Sequence, residues 1–235
     1  MRKRWLAVIL LGILAGTGFY AYRSMRPAAG RSARVIEWIR NAADHPDWAV
    51  QAGVRCSPGA PFVMPTDGLI GYLWDDSFRP GHRHSGVDIF GQPELGVVPV
   101  VAAFPGYLTR LPEWKSAVIV RVPSDPLQPG RQIWLYYTHM ADPEGNSYIS
   151  AQFPPGTREA LVEAGTLLGF QGNYTGNPAN PSGIHLHFSI VLDDGQGWFL
   201  NELEIRNTLD PSPYFGLPLD GPSAPDELLL CAGGA

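Results

Sequence analysis

From Pro58 onward the chain is cut every few residues by Gly, Pro, Asn or Asp, and the apolar runs between the cuts read as strands. Those runs are Gly68 to Trp74, Gly96 to Leu111, Ala117 to Val122, Ile133 to Met140, Thr166 to Phe170 and Ile184 to Leu192. They are rich in β-branched and aromatic residues, and no long amphipathic helix separates them. A helix-linked parallel sheet is therefore excluded. The 27 Gly and 23 Pro supply the turns such a pattern needs. At 45% hydrophobic and 17% charged residues, the 235-residue chain can bury one real core. The expected fold class is all-β.

The segment before this pattern has a different character. Arg2-Lys3-Arg4 precedes eighteen uncharged residues, Trp5 to Tyr22, and Arg23 closes the run. Eighteen helical residues span about 27 Å, close to the roughly 30 Å of a bilayer's hydrocarbon core. Residues 1–4 read as a basic cytoplasmic tail and 5–22 as a transmembrane anchor or signal segment. Tyr20-Ala21-Tyr22-Arg23 is a poor cleavage site, which favours an uncleaved anchor. Either way the rest of the chain is exported: at the cell membrane with its domain outside the cytoplasm, or secreted if the segment is cleaved. Residues 23–55 are expected to be a juxtamembrane linker, with a short helix within 31–51 carrying Val35, Ile36, Trp38 and Ile39 and ended by Asp44-His45-Pro46. His45 reads as an exposed or capping histidine. Residues 56–216 form the β domain, and 217–235 a tail that is loose apart from Cys231. The two cysteines, Cys56 and Cys231, stand at the edges of that domain. In an exported protein this points to a disulfide rather than two unpaired thiols.

The net charge of -5 hides an asymmetry. Residues 1–26 hold five basic and no acidic residues, so the remainder carries 12 basic against 22 acidic. A domain this acidic, with no basic run interleaved with aromatics, excludes a nucleic-acid partner.

Five of the six histidines fall into three places. His82, His84 and Asp88 bracket Ser85-Gly86-Val87, with His84 and Asp88 four apart and Gly86 expected to permit the backbone bend that joins them. His139 closes the strand Leu135 to Met140. His185 and His187 sit on one face of the last strand, because side chains alternate along it. Two buried imidazoles side by side are costly unless something uses them, and a divalent metal with three N/O ligands and an open position is the simplest user. Five histidines that merely satisfy one another in a β core would be a poor alternative.

Four motifs in order carry a family resemblance. They are His84-Ser-Gly-Val-Asp88-Ile, Tyr137-Thr-His139, Gly165-Thr-Leu-Leu-Gly169-Phe-Gln-Gly172-Asn-Tyr-Thr-Gly176, and Gly183-Ile-His185-Leu-His187-Phe. Together with Leu209-Asp-Pro-Ser-Pro-Tyr214 they resemble the lysostaphin-type zinc metalloendopeptidases, which cut peptidoglycan peptides, across roughly residues 66–215. The resemblance implies a mainly antiparallel β-sandwich with a duplicated hybrid motif. It implies one Zn2+ per chain held by His84, Asp88 and His187, with His139 and His185 as catalytic histidines that share the acid–base and oxyanion-stabilising roles in either order. The function it implies is hydrolysis of stem peptides or cross-bridges by an activated water. The partners are then peptidoglycan peptides, the membrane through the N-terminal helix, and a regulatory protein of unknown kind. Asn173, Tyr174 and His82 are expected near the substrate. The alternative is a gated or inactive relative that regulates wall hydrolases, although such relatives usually lose a ligand and this sequence has all three. A wall-binding module is disfavoured, because structural zinc sites are closed and thiolate-rich. Two departures from the family pattern, the apolar stretch Leu69 to Trp74 and the long segment 141–164, border the expected cleft.

Overall fold

A computed structural model of the protein describes residues 30–76, 81–92 and 94–231. The expected membrane segment lies outside the described residues. Among those residues, no helix is long and apolar enough to cross a membrane.

The fold is mostly antiparallel β-sheet with few helices. Helix α1 spans Arg31–Asn41 and is followed by two single 3₁₀ turns, Ala42–Asp44 and Pro46–Trp48. The strands are β1 Leu69–Ile70, β2 Val87–Phe90, β3 Pro99–Val101, β4 Gly106–Thr109, β5 Val118–Val122, β6 Ile133–Thr138, β7 Ala160–Val162, β8 Leu167–Phe170, β9 His185–Leu192 and β10 Thr208–Leu209. A closing helix, α2, spans Ser212–Phe215. The large sheet has eight strands in the order β1-β2-β9-β6-β5-β4-β7, with β10 also on β9, and a second sheet pairs β3 with β8.

Strand β9 is the axis of the large sheet. On one side β6 pairs along most of its length, from Ile133↔Leu192 to Thr138↔His187. On the other side β2 takes the first half, with Asp88↔His187 and Phe90↔His185, and β10 takes the second. Period-two alternation then sorts its side chains. Leu186, Phe188 and Ile190 enter the main core beside Leu135 and Tyr137 of β6 and Val118 and Val120 of β5. His185, His187, Ser189 and Val191 face the other way. The far end of that second face is covered by Trp114, Phe199 and Leu200 over Trp134 and Val191. The near end keeps its polar groups, and the site forms there.

The structure corrects several expectations. Gly96 to Leu111 is two strands in different sheets, because Pro105 has no N–H for a ladder and the chain crosses between sheets before Gly106. Gly68 to Trp74 forms only the two-residue β1, since Gly71 lies against the Phe90 ring and Trp74 bonds to Leu219. The helix expected within 31–51 stops at Asn41. His45 caps as expected, between the two 3₁₀ turns with its backbone N–H donating to the Ala42 carbonyl, while its ring stacks on Trp48 and reaches Glu37. Strand β7 lies in segment 141–164, where no strand was expected. The tail is not loose through 231: Leu219 and Leu229 are in the core, and Gly221 bonds to Trp74. Cys56 and Cys231 are joined by a disulfide.

Candidate metal and hydrolytic site

Asp88 and His187 meet because they are register partners on adjacent strands with side chains on the same face. His84 comes from the loop before β2, not from a strand shared with Asp88. Its loop is held by the Asp75 N–H donating to the His84 carbonyl and the His84 N–H donating to the Asp76 carbonyl. Gly86 has no left-handed φ, so its role is closeness rather than the expected bend. A Cβ there would sit 2.2 Å from the Phe188 carbonyl oxygen. Without it, the loop lies directly on β9.

The three side chains converge on a point. His84 Nε2 lies 3.0 Å from Asp88 Oδ1 and 3.0 Å from His187 Nδ1, and His187 Nδ1 lies 2.9 Å from Asp88 Oδ1. Backbone carbonyls can only accept, so the Leu73 carbonyl 2.9 Å from His84 Nδ1 places that ring's proton on Nδ1 and turns the Nε2 lone pair inward. On His187, Nε2 faces Ser189 Oγ at 2.8 Å, leaving Nδ1 toward the cluster. Two nitrogen lone pairs and a carboxylate oxygen within about 3 Å repel one another unless a proton or cation lies among them. Burial opposes charge on both members of the next pair, but it loses. The His84 pKa is raised by Asp88, and His84 and His185 help hold the Asp88 carboxyl well below its usual range. The His187 pKa is lowered, by burial above all. Among the described residues, these three are the group able to hold a metal ion. An N,N,O donor set with no thiolate suits a divalent ion such as zinc in an open site.

Two further imidazoles stand beside the cluster. His139 ends β6 with φ 74°, an uncommon conformation for a residue with a side chain. That turn stops the strand at Thr138 and swings the ring toward His185, at 4.4 Å between ring centroids. His139 Nδ1 donates to the Tyr174 carbonyl at 2.6 Å and His185 Nδ1 to the Gly183 carbonyl at 2.7 Å. Both therefore present Nε2, and that of His185 lies 3.8 Å from Asp88 Oδ1. Burial, then His139 beside it, push the His185 pKa down to about 3, so this ring is neutral near pH 7.

These five residues open into a cavity of about 540 Å³. His82 and Tyr174 line it, as expected; Asn173 does not, and its Oδ1 is buried without a hydrogen-bond partner. Arg83, Ser116, Tyr136, Thr138, Glu202 and Leu203 line it without having been anticipated. Tyr136 and Thr138 were readable, since they precede His139 on β6 and share the face of His187 by register. So was Ser189, two residues after His187. Glu202 and Leu203 arrive from a loop after β9 and left no local signal.

No family model matches the chain, and no curated protein matches it. Solved structures do. Lysostaphin, an antimicrobial peptidase from Staphylococcus simulans, is 21% identical over 63% of this chain, with a TM-score of 0.41. The chain spans half the length of that lysostaphin chain. Its catalytic domain alone is 20% identical over 62% of this chain and 89% of its own, at 0.40. The catalytic domain of a variant of the prophage-encoded M23 protein EnpA from Enterococcus faecalis is 20% identical over 61% of this chain and 91% of its own, at 0.37. The chain is thus similar in structure to lysostaphin and to an M23 protein.

Proposed function

We propose that the protein is a zinc metalloendopeptidase that hydrolyses peptide bonds of peptidoglycan stem peptides or cross-bridges outside the cytoplasm. The observation that carries this reading is the convergence of His84 Nε2, Asp88 Oδ1 and His187 Nδ1 beside two more imidazoles in one open cavity. His84, Asp88 and His187 would hold the ion. When bound, zinc supplies a Lewis acid that polarises an amide carbonyl and makes water nucleophilic near pH 7.

The chain's own residues do the rest. The Leu73 carbonyl and Ser189 fix the tautomers of the two ligand rings, as second-shell partners do in other metal sites. Neutral His185 offers its Nε2 lone pair to the proton of the attacking water. His139, held by the Tyr174 carbonyl, stands close enough to share the proton and return it to the leaving amine. A positive charge on one of the two rings opposes a second on the other. Whichever ring carries the N–H donates to the carbonyl oxygen as negative charge grows there, a contact worth about 3–4 kcal/mol in the transition state.

Placement outside the cytoplasm is part of the proposal. It is supported by the apolar segment Trp5 to Tyr22 and by a disulfide, which persists in oxidising compartments. The test is to load the full chain with zinc, incubate it with peptidoglycan fragments and look for new peptide termini by mass spectrometry. Cleavage is expected, falling at least a hundredfold in His139→Ala and His185→Ala. A zinc-loaded protein that releases no termini would overturn the hydrolase reading and favour a regulator.

A further inference from the structure

Among the described residues, one charge in the cavity around the five site residues has no opposite charge beside it. Glu202 enters that cavity from the loop after β9, where it is half-buried. The neighbouring cations are engaged elsewhere. Arg206 pairs with Glu204, Arg83 holds Asp75 through two nitrogens, and Lys115 stands over the Tyr174 ring at 5.9 Å. What holds Glu202 is neutral: the Tyr136 hydroxyl donates to its carboxylate and is itself met by Thr138. Burial first, then the facing carboxylate, push the Tyr136 pKa up, so the phenol keeps its proton. A carboxylate partly withdrawn from water and without a counter-charge is completed by a cation that donates hydrogen bonds to it.

The sheet sets how far this carboxylate lies from the bond to be cut. Thr138 pairs with His187 and Tyr136 with Ser189, so Tyr136 stands two residues, about 7 Å, from the metal cluster on the same face of β6. A group held by Glu202, beyond the Tyr136 hydroxyl, is then about two to three residues of extended peptide from the cut amide. The chemistry of the proposed substrate supplies a cation at such a distance. A stem peptide that can be joined to its neighbour by a bridge has to branch, and the branching residue needs a second amine. Until it is bridged, that amine is an ammonium near pH 7. A branch point already acylated carries no such charge.

We propose that Glu202 is the specificity-determining residue of a subsite for the free ammonium group of a stem peptide, close to the bond that is cut. The inference rests on the hydrolase reading and narrows its substrate to stems whose branching residue is unbridged; the experiment separates the two. Stem peptides still joined to their sugar, so that the branching amine is the one amine present, are prepared free and N-acetylated. Both are titrated by calorimetry into the His139→Ala full chain equilibrated with zinc, which holds peptides with little turnover. The free-amine stem is expected to bind about tenfold or more tighter, the difference that a charge-assisted hydrogen bond supplies. Added to that background, Glu202→Gln should abolish the preference and Glu202→Lys should reverse it. Glu204→Gln should keep it, because that carboxylate pairs with Arg206 and does not line the cavity. Circular dichroism checks the fold of each variant. Equal affinity for the two stems, binding of neither, or a preference that survives Glu202→Gln would overturn the subsite. So would loss of zinc from Glu202→Gln, which would make the carboxylate a support of the metal. The native zinc-loaded chain is then given both stems and its products are mapped. Preferential binding without cleavage would leave the subsite standing and sink the hydrolase; cleavage of both stems at one rate would do the reverse.

Discussion

A single methyl group at position 86 would strike three groups that build the site. Besides the Phe188 carbonyl oxygen, it would lie 2.6 Å from Ser189 Oγ and 2.9 Å from His187 Nε2. The nearest of these is backbone in the central strand and cannot rotate away. Gly86→Ala is expected to cost about 1–3 kcal/mol of stability through overpacking. It should also weaken zinc binding about tenfold or more by displacing the Ser189 contact that orients His187. Thermal unfolding and a competitive zinc titration check the two effects separately; unchanged zinc affinity would contradict the close-approach account. At this scale much was readable. The face shared by His185 and His187 followed from strand alternation, and the His84–Asp88 spacing from the motif. The carbonyls of Leu73, Tyr174 and Gly183, which set the tautomers, were not readable, because backbone acceptors in loops leave no mark on residue type. The left-handed turn at His139 was hidden for a similar reason: nothing in the side chain advertises it.

Individual elements are tied together by a few buried polar groups. Asp125, in the connection between β5 and β6, accepts from the Leu127 N–H at 2.8 Å, the Tyr214 hydroxyl at 2.8 Å and Arg131 Nε at 2.8 Å. It thereby fastens that connection to α2. Burial alone would raise its pKa, but these donors and the Arg131 charge outweigh burial and hold the carboxyl below its usual range. A depressed folded-state value means the contribution is complete above the unfolded value of about 3.9 and fades as pH falls through the folded one. Asp125→Asn is expected to lose about 2–3 kcal/mol at neutral pH. Its deficit against the native protein should shrink below about pH 4. Urea unfolding at several pH values checks this, and a deficit that grows in acid would contradict it. The strand reading of the sequence located β5, β6, β8 and β9 to within about two residues, because long alternating or apolar runs dominate the signal. It missed β2, the strand that carries Asp88, and β7, whose four and three residues offer too little pattern. It also merged β3 with β4, because each run is apolar and only Pro105-Gly106 marks the change of sheet.

Across the whole molecule, the described residues before and after the sheet are part of the packed structure. Helix α1 forms one wall of a cavity beside His139 and His185, and residues up to 231 return to the core, where the disulfide joins positions 175 apart in sequence. Closing a loop that long constrains the unfolded chain, so Cys56→Ser is expected to lower stability by about 2–5 kcal/mol. Reduction of the native protein should produce the same shift in urea midpoint, and no shift would show that packing alone holds the ends. Sequence reasoning placed the cysteine pair but treated the tail as loose, because scattered leucines among Gly and Pro carry no periodicity.

The proposed hydrolysis requires one zinc ion held by His84, Asp88 and His187. Elemental analysis of the purified full chain, equilibrated with zinc and dialysed, tests it most directly. The account predicts one zinc per chain, lost in both Asp88→Ala and His187→Ala while the variants remain folded by circular dichroism. A native chain that retains no zinc, or folded variants that retain it fully, would contradict the assignment.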